Sequence, residues 1–512
     1  MWAAARDAIF EDPGRDDQAR RFPDHNTSLK TDRSISPEPS IIRGQSMVLS
    51  SVRAWLAMRP RIIRIALPSV VFVILTVVRV QGISEKFWLL GDQIRDWTIA
   101  LGSWRDLPLS GTPSTAGGRS FGPVYYWMLW FIRHALGPWW DNLPHAGGIG
   151  LCLVQSAADA FLLTALWRRT DSLPFALGTV LLAATSPFDM ALTATIWNPP
   201  LAVALVKVTM AIMLLGQDRP STGWVVFASG VAWLSVQAHS SALFVAAPVM
   251  ASFVVKELVA RRWLRALQVA RAIAAVIFVL QIPFLIDHVL HPAEPAGPTG
   301  IVGSVMSTLS HPSGSLRVSA AAHSIAMSFD YILLRPWTFS SLLSLIVASV
   351  VVTAVRVRQD VTLASMTVIP LLFAVIGFST WPGTFYVYWF LTLTPPLVLT
   401  VALALTALPW RLARSLTSTG LLVLALVCQP ARFAHAQITA RLPEYGPLLR
   451  GSRALRRRTP ELRAIEVTFV LPPSSDPEFL YKVLGGKIAA TAKYVATIER
   501  TGRVSYRLAS EP

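Results

Sequence analysis

The chain has 512 residues, of which 53% are hydrophobic and only 15% are charged, and its mean hydropathy is +0.50. Soluble globular proteins average about 25% charged residues and keep their apolar runs short. Composition therefore excludes both a soluble globular protein and a disordered one. The apolar runs also lack the alternation that β-barrel strands need, which predicts an all-α polytopic membrane protein.

The net charge of +17 does not indicate a nucleic-acid partner. Many of the basic residues gather in short clusters at the ends of apolar runs, such as Arg261, Arg262 and Arg265, and not on one face of a soluble domain. Such clusters set membrane orientation, because Lys and Arg stay on the cytoplasmic side. The two cysteines, Cys152 and Cys428, both lie in apolar runs, so neither a disulfide framework nor a zinc site is expected.

Three regions are predicted along the chain. Residues 1–46 are polar and rich in Pro, Asp and Arg, which predicts a disordered cytoplasmic segment, and Met47 is an alternative start. Residues 47–430 form the transmembrane domain. Residues 431–512 form a small α/β region that is expected to pack on the outer loops. Its pattern predicts a strand, a helix and a strand at Ala464–Leu471, Asp476–Leu484 and Val504–Leu508.

Apolar runs that are candidates for membrane spans recur from residue 62 to residue 430. They lie at 62–80, 122–137, 148–167, 173–190, 198–215, 222–237, 239–255, 267–290, 338–355, 361–379, 386–408 and 416–430. Several are shorter than the ~20 residues that a span requires, so we expect about 11–13 transmembrane helices.

The arginine clusters place the loops 81–121 and 291–337 and the C-terminal region on the outer, periplasmic side. If every run crosses the membrane, Arg168 and Arg169 also fall on the periplasmic side, which contradicts the preference of arginine for the cytoplasmic side. One segment between 122 and 200 is therefore miscounted, and an odd total of 11 or 13 is predicted.

The first outer loop carries the clearest candidate for chemistry. It reads Gly-Asp-Gln-Ile-Arg-Asp-Trp from Gly91, and in a helix Asp92 and Asp96 share one face with Arg95 beside them. One carboxylate can act as general base on an acceptor hydroxyl, while cations hold a leaving phosphate.

A structural interpretation of this loop is also open. Asp92 would then cap an interfacial helix whose Trp88, Trp97 and Trp104 rest on the lipid headgroups.

Further motifs follow at the ends of later apolar runs. They are Gly122-Pro123-Val124-Tyr125-Tyr126, Ser186-Pro187-Phe188 with Trp197-Asn198-Pro199, Gln237-Ala238-His239, and Phe385–Trp389 with Pro395-Pro396. In this order, and after the Gly-Asp-Gln loop, they resemble the polyprenyl-phosphate-sugar-dependent glycosyltransferases of the GT-C fold. That family includes the dolichyl-phosphate-mannose protein mannosyltransferases, the lipid A aminoarabinose transferases and the rhizobial galacturonosyltransferase-like proteins. The resemblance covers roughly residues 62–410.

The resemblance implies roles for particular residues. Asp92 would be the catalytic base, with Asp96 and Arg95 functional beside it. The substrate-binding residues would be Tyr125, Tyr126, Trp197, Asn198, Gln237 and His239. The family often has a second acidic residue where this chain has Asn198, and the nearby Asp189 is a candidate substitute.

The resemblance also implies an environment and partners. The expected protein lies in the inner membrane and takes a sugar from a polyprenyl-phosphate donor in the bilayer. It passes that sugar to a hydroxyl of an envelope lipid, glycan or protein at the periplasmic face. No cofactor is certain, and assistance by a divalent cation stays open. The sequence has no Walker motif and no HExxH motif, so neither ATP nor a zincin-type metal is expected.

Alternatives accompany several of these residues. Gln237 and His239 fit a plain helix junction, and Arg317 and Arg335 fit either a phosphate site or an interfacial anchor. Three aromatic residues fit either a lipid-chain groove or an aromatic belt; they are Tyr386, Tyr388 and Trp389.

Two other functions compete with transfer. The first is a transporter or flippase of lipid-linked sugars, which should carry charges along a central pathway. The charges within spans are few, and several lie near span ends where they could extend to the surface; they are Arg79, Asp159, Lys207, Arg271 and Asp287. The second is a structural membrane subunit without activity.

Overall fold

The computed structural model describes residues 60–113, 119–216, 220–291, 339–379, 387–407, 411–429, 444–458, 461–471 and 475–509. The N-terminal segment 1–46 and the residues Arg317, Arg335, Phe385 and Tyr386 lie outside this part of the chain. The chain divides into two units, 1–71 and 72–512. The first contributes only residues 60–71 to the described part, and the features below belong to the second.

Helices make up most of the described chain. They are α1 (Pro60–Val80), α2 (Ile83–Lys86), α3 (Gly91–Leu101), α4 (Val124–Leu136), α5 (His145–Thr170), α6 (Leu173–Ala184), α7 (Pro187–Thr193), α8 (Asn198–Leu215), α9 (Thr222–Ala238), α10 (Leu243–Val259), α11 (Trp263–Leu290), α12 (Phe339–Val357), α13 (Val361–Met366), α14 (Val368–Ser379), α15 (Thr394–Leu405), α16 (Arg411–Val427), α17 (Tyr445–Arg458) and α18 (Phe479–Val483). Short 3₁₀ segments lie at Trp104–Asp106, Gly137–Trp140, Ser240–Ala242 and Val387–Leu393.

Six described helical segments are long and apolar enough to cross a membrane, and five shorter apolar helices accompany them. The protein is therefore a multi-pass membrane protein, as the composition predicts. The centre of the bundle is α8, whose side chains are nearly all buried between α5 and α9. By contrast, α11 is a 28-residue helix with most of its side chains exposed, as expected of a helix that faces lipid.

The positions of the end of α1 and the start of α5 show which predicted span between residues 122 and 200 was miscounted. Tyr445 contacts both the loop after α1 and the first residue of α5, because its ring lies 5.2 Å from Phe87 and its hydroxyl is hydrogen-bonded to His145 Nδ1 at 2.8 Å. The chain thus leaves α1 and enters α5 on the same side of the membrane. A single crossing by the intervening α4 would put these two ends on opposite sides, so the expectation of a span at 122–137 is wrong. Without that span, Arg168 and Arg169 fall on the side predicted to be cytoplasmic, and the number of predicted spans becomes 11.

This topology makes a direct prediction for labelling. Cysteine at Ser103 or Thr491, both exposed and on the side predicted to be periplasmic, should react with a membrane-impermeant maleimide in intact cells. Cysteine at Ala260, exposed beside a cytoplasmic arginine cluster, should react only after lysis. The unmodified chain is the control, because Cys152 and Cys428 are both buried. Labelling of the Ala260 variant in intact cells would contradict the orientation.

The C-terminal region contains strands β1 (Glu461–Leu462), β2 (Ala464–Val467), β3 (Lys487–Ile488), β4 (Tyr494–Ile498) and β5 (Val504–Leu508). The central strand of its three-stranded sheet is β4, which pairs parallel with β2 and antiparallel with β5. Sequence analysis missed both β4 and α17. The region packs on the first outer loop, where Ser475 Oγ donates a 3.2 Å hydrogen bond to the Leu89 carbonyl.

Candidate active site

The helix that carries the paired carboxylates is α3, and its start is fixed by Gln93. The Gln93 side-chain oxygen accepts a 3.0 Å hydrogen bond from the Leu90 N–H, which leaves no capping role for the side chain of Asp92. Asp92 is the second residue of the helix and its side chain is 55% exposed. The expectation that Asp92 caps the helix is therefore wrong.

The opposite face of α3 is buried, which holds the helix firmly. Trp97 is fully buried and its indole N–H donates a 2.8 Å hydrogen bond to the Asn142 carbonyl. A side chain at Gly147 would meet the Trp97 ring, since an added Cβ would lie 2.6 Å from it. Trp97 thus packs inside the protein and does not rest on headgroups, whereas Trp104 is 54% exposed.

Arg95 joins the two carboxylates of α3. Its Nη1 lies 2.8 Å from Asp92 Oδ1, and its Nε donates a 2.8 Å hydrogen bond to Asp96 Oδ1. Asp96 is fully buried, while Arg95 is about one-third exposed. The arrangement leaves one accessible carboxylate beside one accessible guanidinium, with a buried carboxylate behind them.

Two tyrosines complete the surroundings of Asp96. Tyr126 donates a 3.2 Å hydrogen bond to Asp96 Oδ1, and Tyr125 is fully buried beside it, with the two rings 5.5 Å apart. Burial raises the pKa of Asp96 to about 6, even though Arg95 and both tyrosine hydroxyls favour the charged form. We call Asp92, Arg95, Asp96, Tyr125 and Tyr126 the loop-helix cluster.

The tyrosines are placed by the Gly122-Pro123 turn at the start of α4. An added Cβ on Gly122 would lie 2.4 Å from the Gln237 side chain, so only glycine allows this approach. Gln237 in turn donates a 2.6 Å hydrogen bond to the Leu280 carbonyl of α11. Two motifs that are far apart in sequence therefore meet, and Gln237 supports the turn that carries Tyr125.

Asn198 links the first outer loop to the end of α9. Its side-chain amide donates hydrogen bonds to Thr112 Oγ1 at 3.2 Å and to the Ala238 carbonyl at 3.0 Å. The preceding Trp197 is half-buried, and its ring lies 6.0 Å from Trp88 and 4.5 Å from Tyr388. The junction therefore presents an aromatic surface beside an amide whose NH₂ group is hydrogen-bonded within the protein.

His239 lies at the same junction as a neutral imidazole. Burial lowers its pKa to about 4. Its Nδ1 accepts a hydrogen bond from the Ser241 N–H at 3.3 Å and lies 2.8 Å from Ser241 Oγ, which leaves the ring proton on Nε2. Ser241 Oγ is also hydrogen-bonded to Thr392 at 3.1 Å. Sequence analysis missed Ser241, Thr392 and Thr112, because single hydroxyls carry no pattern. We call Trp197, Asn198, Gln237 and His239 the junction cluster.

The loop-helix cluster and the junction cluster adjoin on one side of the protein. The contacts between them are Trp88 with Trp197, Thr112 with Asn198, and Gly122 with Gln237. All nine candidate residues from the sequence thus fall in two neighbouring groups. Among the described residues, no hydrogen bond, ion pair or ring contact joins the two groups directly, and Trp88, Thr112 and Gly122 connect them.

Asp189 belongs to a different arrangement, a buried ion network. Lys207 Nζ lies 2.8 Å from Asp159 Oδ1 and 3.3 Å from Asp189 Oδ2, and Arg79 Nη2 lies 2.7 Å and 3.2 Å from the same two carboxylates. Gln155 accepts a hydrogen bond from Lys207 at 3.0 Å. These side chains are at most 2% exposed.

The network overturns two expectations from the sequence. Arg79, Asp159 and Lys207 do not extend to the membrane surface, because they are paired within the bundle. Asp189 does not replace the missing acidic residue at Asn198, because its carboxylate is held by Arg79 and Lys207. Within the described ranges, no group of three or more His, Cys, Asp and Glu residues is placed to hold a metal ion.

No protein-family model matches the sequence. No curated protein matches it either. Among solved structures, the chain is similar to ArnT from Cupriavidus metallidurans bound to undecaprenyl phosphate. The identity is 14%, the TM-score is 0.52, and the match covers 83% of this chain and 86% of ArnT. The apo structure of the same protein matches at 14% identity with a TM-score of 0.49, over 81% and 84% of the two chains. The resemblance inferred from the motifs is confirmed at the level of fold, since the chain has the GT-C fold of the lipid A aminoarabinose transferase ArnT.

Proposed function

We propose that the protein is an inner-membrane glycosyltransferase that moves a sugar from a polyprenyl-phosphate donor to a hydroxyl of an envelope lipid, glycan or protein at the periplasmic face. The observation that supports it best is the loop-helix cluster. An accessible carboxylate and an accessible guanidinium lie side by side on α3, and Trp88, just before this helix, contacts Trp197 of the junction cluster. The ArnT structure with undecaprenyl phosphate supports a donor of this class.

The proposed reaction uses Asp92 as general base. The acceptor hydroxyl gives its proton to Asp92 while its oxygen bonds to the anomeric carbon of the sugar. The bond from that carbon to the phosphate oxygen breaks, and polyprenyl phosphate leaves with the electron pair. Arg95 offers positive charge to the leaving phosphate, and Asp96 holds Arg95 in position from behind.

The junction cluster would bind the sugar and the lipid. Trp197 and Tyr388 present ring faces on which a sugar or a prenyl chain can pack. His239 is neutral with its proton on Nε2, so it can donate a hydrogen bond without adding charge. Asn198 has its amide hydrogens engaged by the protein, which leaves its carbonyl oxygen as the group for a substrate hydroxyl.

The transporter alternative predicts charges along a central pathway. Three of the charged residues in spans instead form a closed network with Asp189, in which two cations balance two carboxylates. Such pairing favours a structural role for these charges, whereas the accessible carboxylate and guanidinium of the loop-helix cluster lie outside the candidate spans. This distribution favours chemistry at the membrane surface.

The experiment that tests the function is transfer of a radiolabelled sugar from polyprenyl phosphate to an acceptor by the purified, lipid-reconstituted protein. Comparing envelope lipids and glycans of a deletion strain with those of its parent by mass spectrometry identifies the sugar and the acceptor. We expect one sugar-modified species to disappear. An unchanged envelope together with flipping of a lipid-linked sugar by the reconstituted protein would favour the transporter.

The pH dependence of the transfer rate should reflect the protonation of Asp96. Its pKa is about 6, so lowering the pH through 6 neutralises the carboxylate that holds Arg95, and transfer should fall. Tyr126→Phe removes a hydrogen bond to the charged carboxylate, which raises the pKa of Asp96 further and should move the loss to higher pH. Initial rates between pH 5 and 8 check this, and Tyr481→Phe, outside the site, is the control. An unshifted profile in Tyr126→Phe would contradict it.

A further inference from the structure

The helix α17 lies at the membrane boundary on the same side as the candidate active site. Tyr445 at its start is hydrogen-bonded to His145, the first residue of a candidate span. Arg450 forms an ion pair with Glu85, the last residue of another candidate span. These contacts tie the first half of α17 to the ends of two membrane-crossing helices.

The next turn of the helix stays close to the same boundary. Arg453 lies 3.1 Å from Asp141, which directly follows an aromatic 3₁₀ segment. In that segment Trp139 is 79% exposed, as is typical of an aromatic side chain at the level of lipid headgroups. Thus contacts at three positions of α17 involve residues that border the membrane.

The two faces of α17 differ strongly. One face is apolar and buried, and includes Leu448, Leu449 and Leu455. The other, which we call the arginine face, is exposed and consists of Arg450, Arg453, Arg456, Arg457 and Arg458. The helix contains no acidic residue. A helix of this kind has an apolar side for the protein and a basic side for an anionic partner.

The positive charge of the arginine face is only partly neutralised. Glu85 and Asp141 offset Arg450 and Arg453. Arg457 and Arg458 form no ion pair with any residue in the described part of the chain. Arg457 is one turn beyond Arg453, about 6 Å further along the helix, so it stays within a Debye length of the same boundary.

We propose that the arginine face of α17 binds the anionic headgroups of phospholipids in the leaflet beside the active site. The guanidinium group matches a phosphate through two parallel hydrogen bonds, and basic residues at a membrane surface attract anionic lipids. Arg457 and Arg458 supply the unneutralised charge, and the contacts to Glu85 and Asp141 hold them at headgroup level. Headgroup binding would fix the C-terminal region over the first outer loop.

The test is native mass spectrometry of the full chain in micelles titrated with phosphatidylglycerol or phosphatidylcholine. We expect the protein to retain phosphatidylglycerol preferentially. Arg457→Gln with Arg458→Gln should weaken that retention about tenfold or more and leave phosphatidylcholine unaffected. The control changes the net charge equally, with Lys487→Gln and Lys493→Gln at exposed positions of the sheet region, and should behave like the unmodified chain.

Arg457→Lys with Arg458→Lys keeps the charge and should keep most of the preference, which shows that the glutamine variant loses binding through charge and not through misfolding. Equal retention of the two lipids by the unmodified protein would overturn the proposal. So would an equal loss in the control variant, or a loss as large with lysine as with glutamine.

Discussion

Asp92→Asn should reduce sugar transfer by about 10²–10⁴-fold, which is the usual contribution of a positioned general base. The substitution removes the basic carboxylate and little else. The side-chain oxygen of Asn can still accept the hydrogen bond from Arg95 Nη1, which is 2.8 Å long in the native protein. The start of α3 is unaffected, because Gln93 supplies the hydrogen bond to Leu90. Protein level and donor binding should therefore stay close to those of the native chain.

Two comparison variants make this result specific. Asp106→Asn changes an exposed carboxylate in the same loop and should leave transfer unchanged. Asp96→Asn removes the buried partner of Arg95, so we expect a smaller loss of rate and a flat pH profile near 6. The measurement is radiolabelled transfer in the lipid-reconstituted protein. An Asp92→Asn variant that keeps more than about a tenth of native turnover would contradict the role of Asp92 as general base.

The fold class was predictable because helices that lie in a membrane require long apolar runs, which are easily recognised in the sequence. The apolar runs correctly indicated a helical multi-pass membrane protein, and the arginine clusters predict an odd number of spans. The error at 122–137 has a physical cause: α4 is nearly as apolar as a span, and composition alone does not show where its two ends lie. The contacts of Phe87 and Tyr445 with the start of α5 show that α1 ends and α5 begins on the same side, so α4 between them does not cross.

The candidate site was predictable in its residue types but not in its connections. The spacing of Asp92 and Asp96 correctly placed them with Arg95 on one helix. It did not show that Asp96 is buried and Asp92 exposed, because that difference depends on Tyr125 and Tyr126 of α4, which pack beside Asp96. The support of Gly122 by Gln237 joins two motifs more than a hundred residues apart, and a single sequence carries no signal for such a contact.

The pairing of the charged residues within spans could not be predicted from the sequence either. Each of Arg79, Asp159 and Lys207 is isolated in sequence, and a lone charge near a span end is expected to reach the surface. The structure gathers them with Asp189 from four different helices. Charges in a low-dielectric interior persist only when they are paired. The pairing here depends on the packing of four helices, which the sequence does not show.

Lys207→Met should destabilise the protein by about 3–5 kcal/mol, because it leaves the two buried carboxylates with Arg79 as their only remaining cation. The Lys207 ammonium lies 2.8 Å from Asp159 and 3.3 Å from Asp189 and is fully buried, so water cannot replace it. Arg358→Met, which removes an exposed cation, is the control and should have little effect.

The double variant Lys207→Met with Asp159→Asn should be more stable than Lys207→Met alone, although it carries one more substitution. One cation, Arg79, and one carboxylate, Asp189, then remain 3.2 Å apart, and the interior is neutral again. The measurement is the apparent Tm in detergent, with the four proteins compared at one heating rate. A double variant no more stable than the single one would show that packing, and not charge balance, fixes the stability. Charge balance matters for the candidate site as well, because Asp189 lies on α7, directly before the junction that carries Trp197 and Asn198.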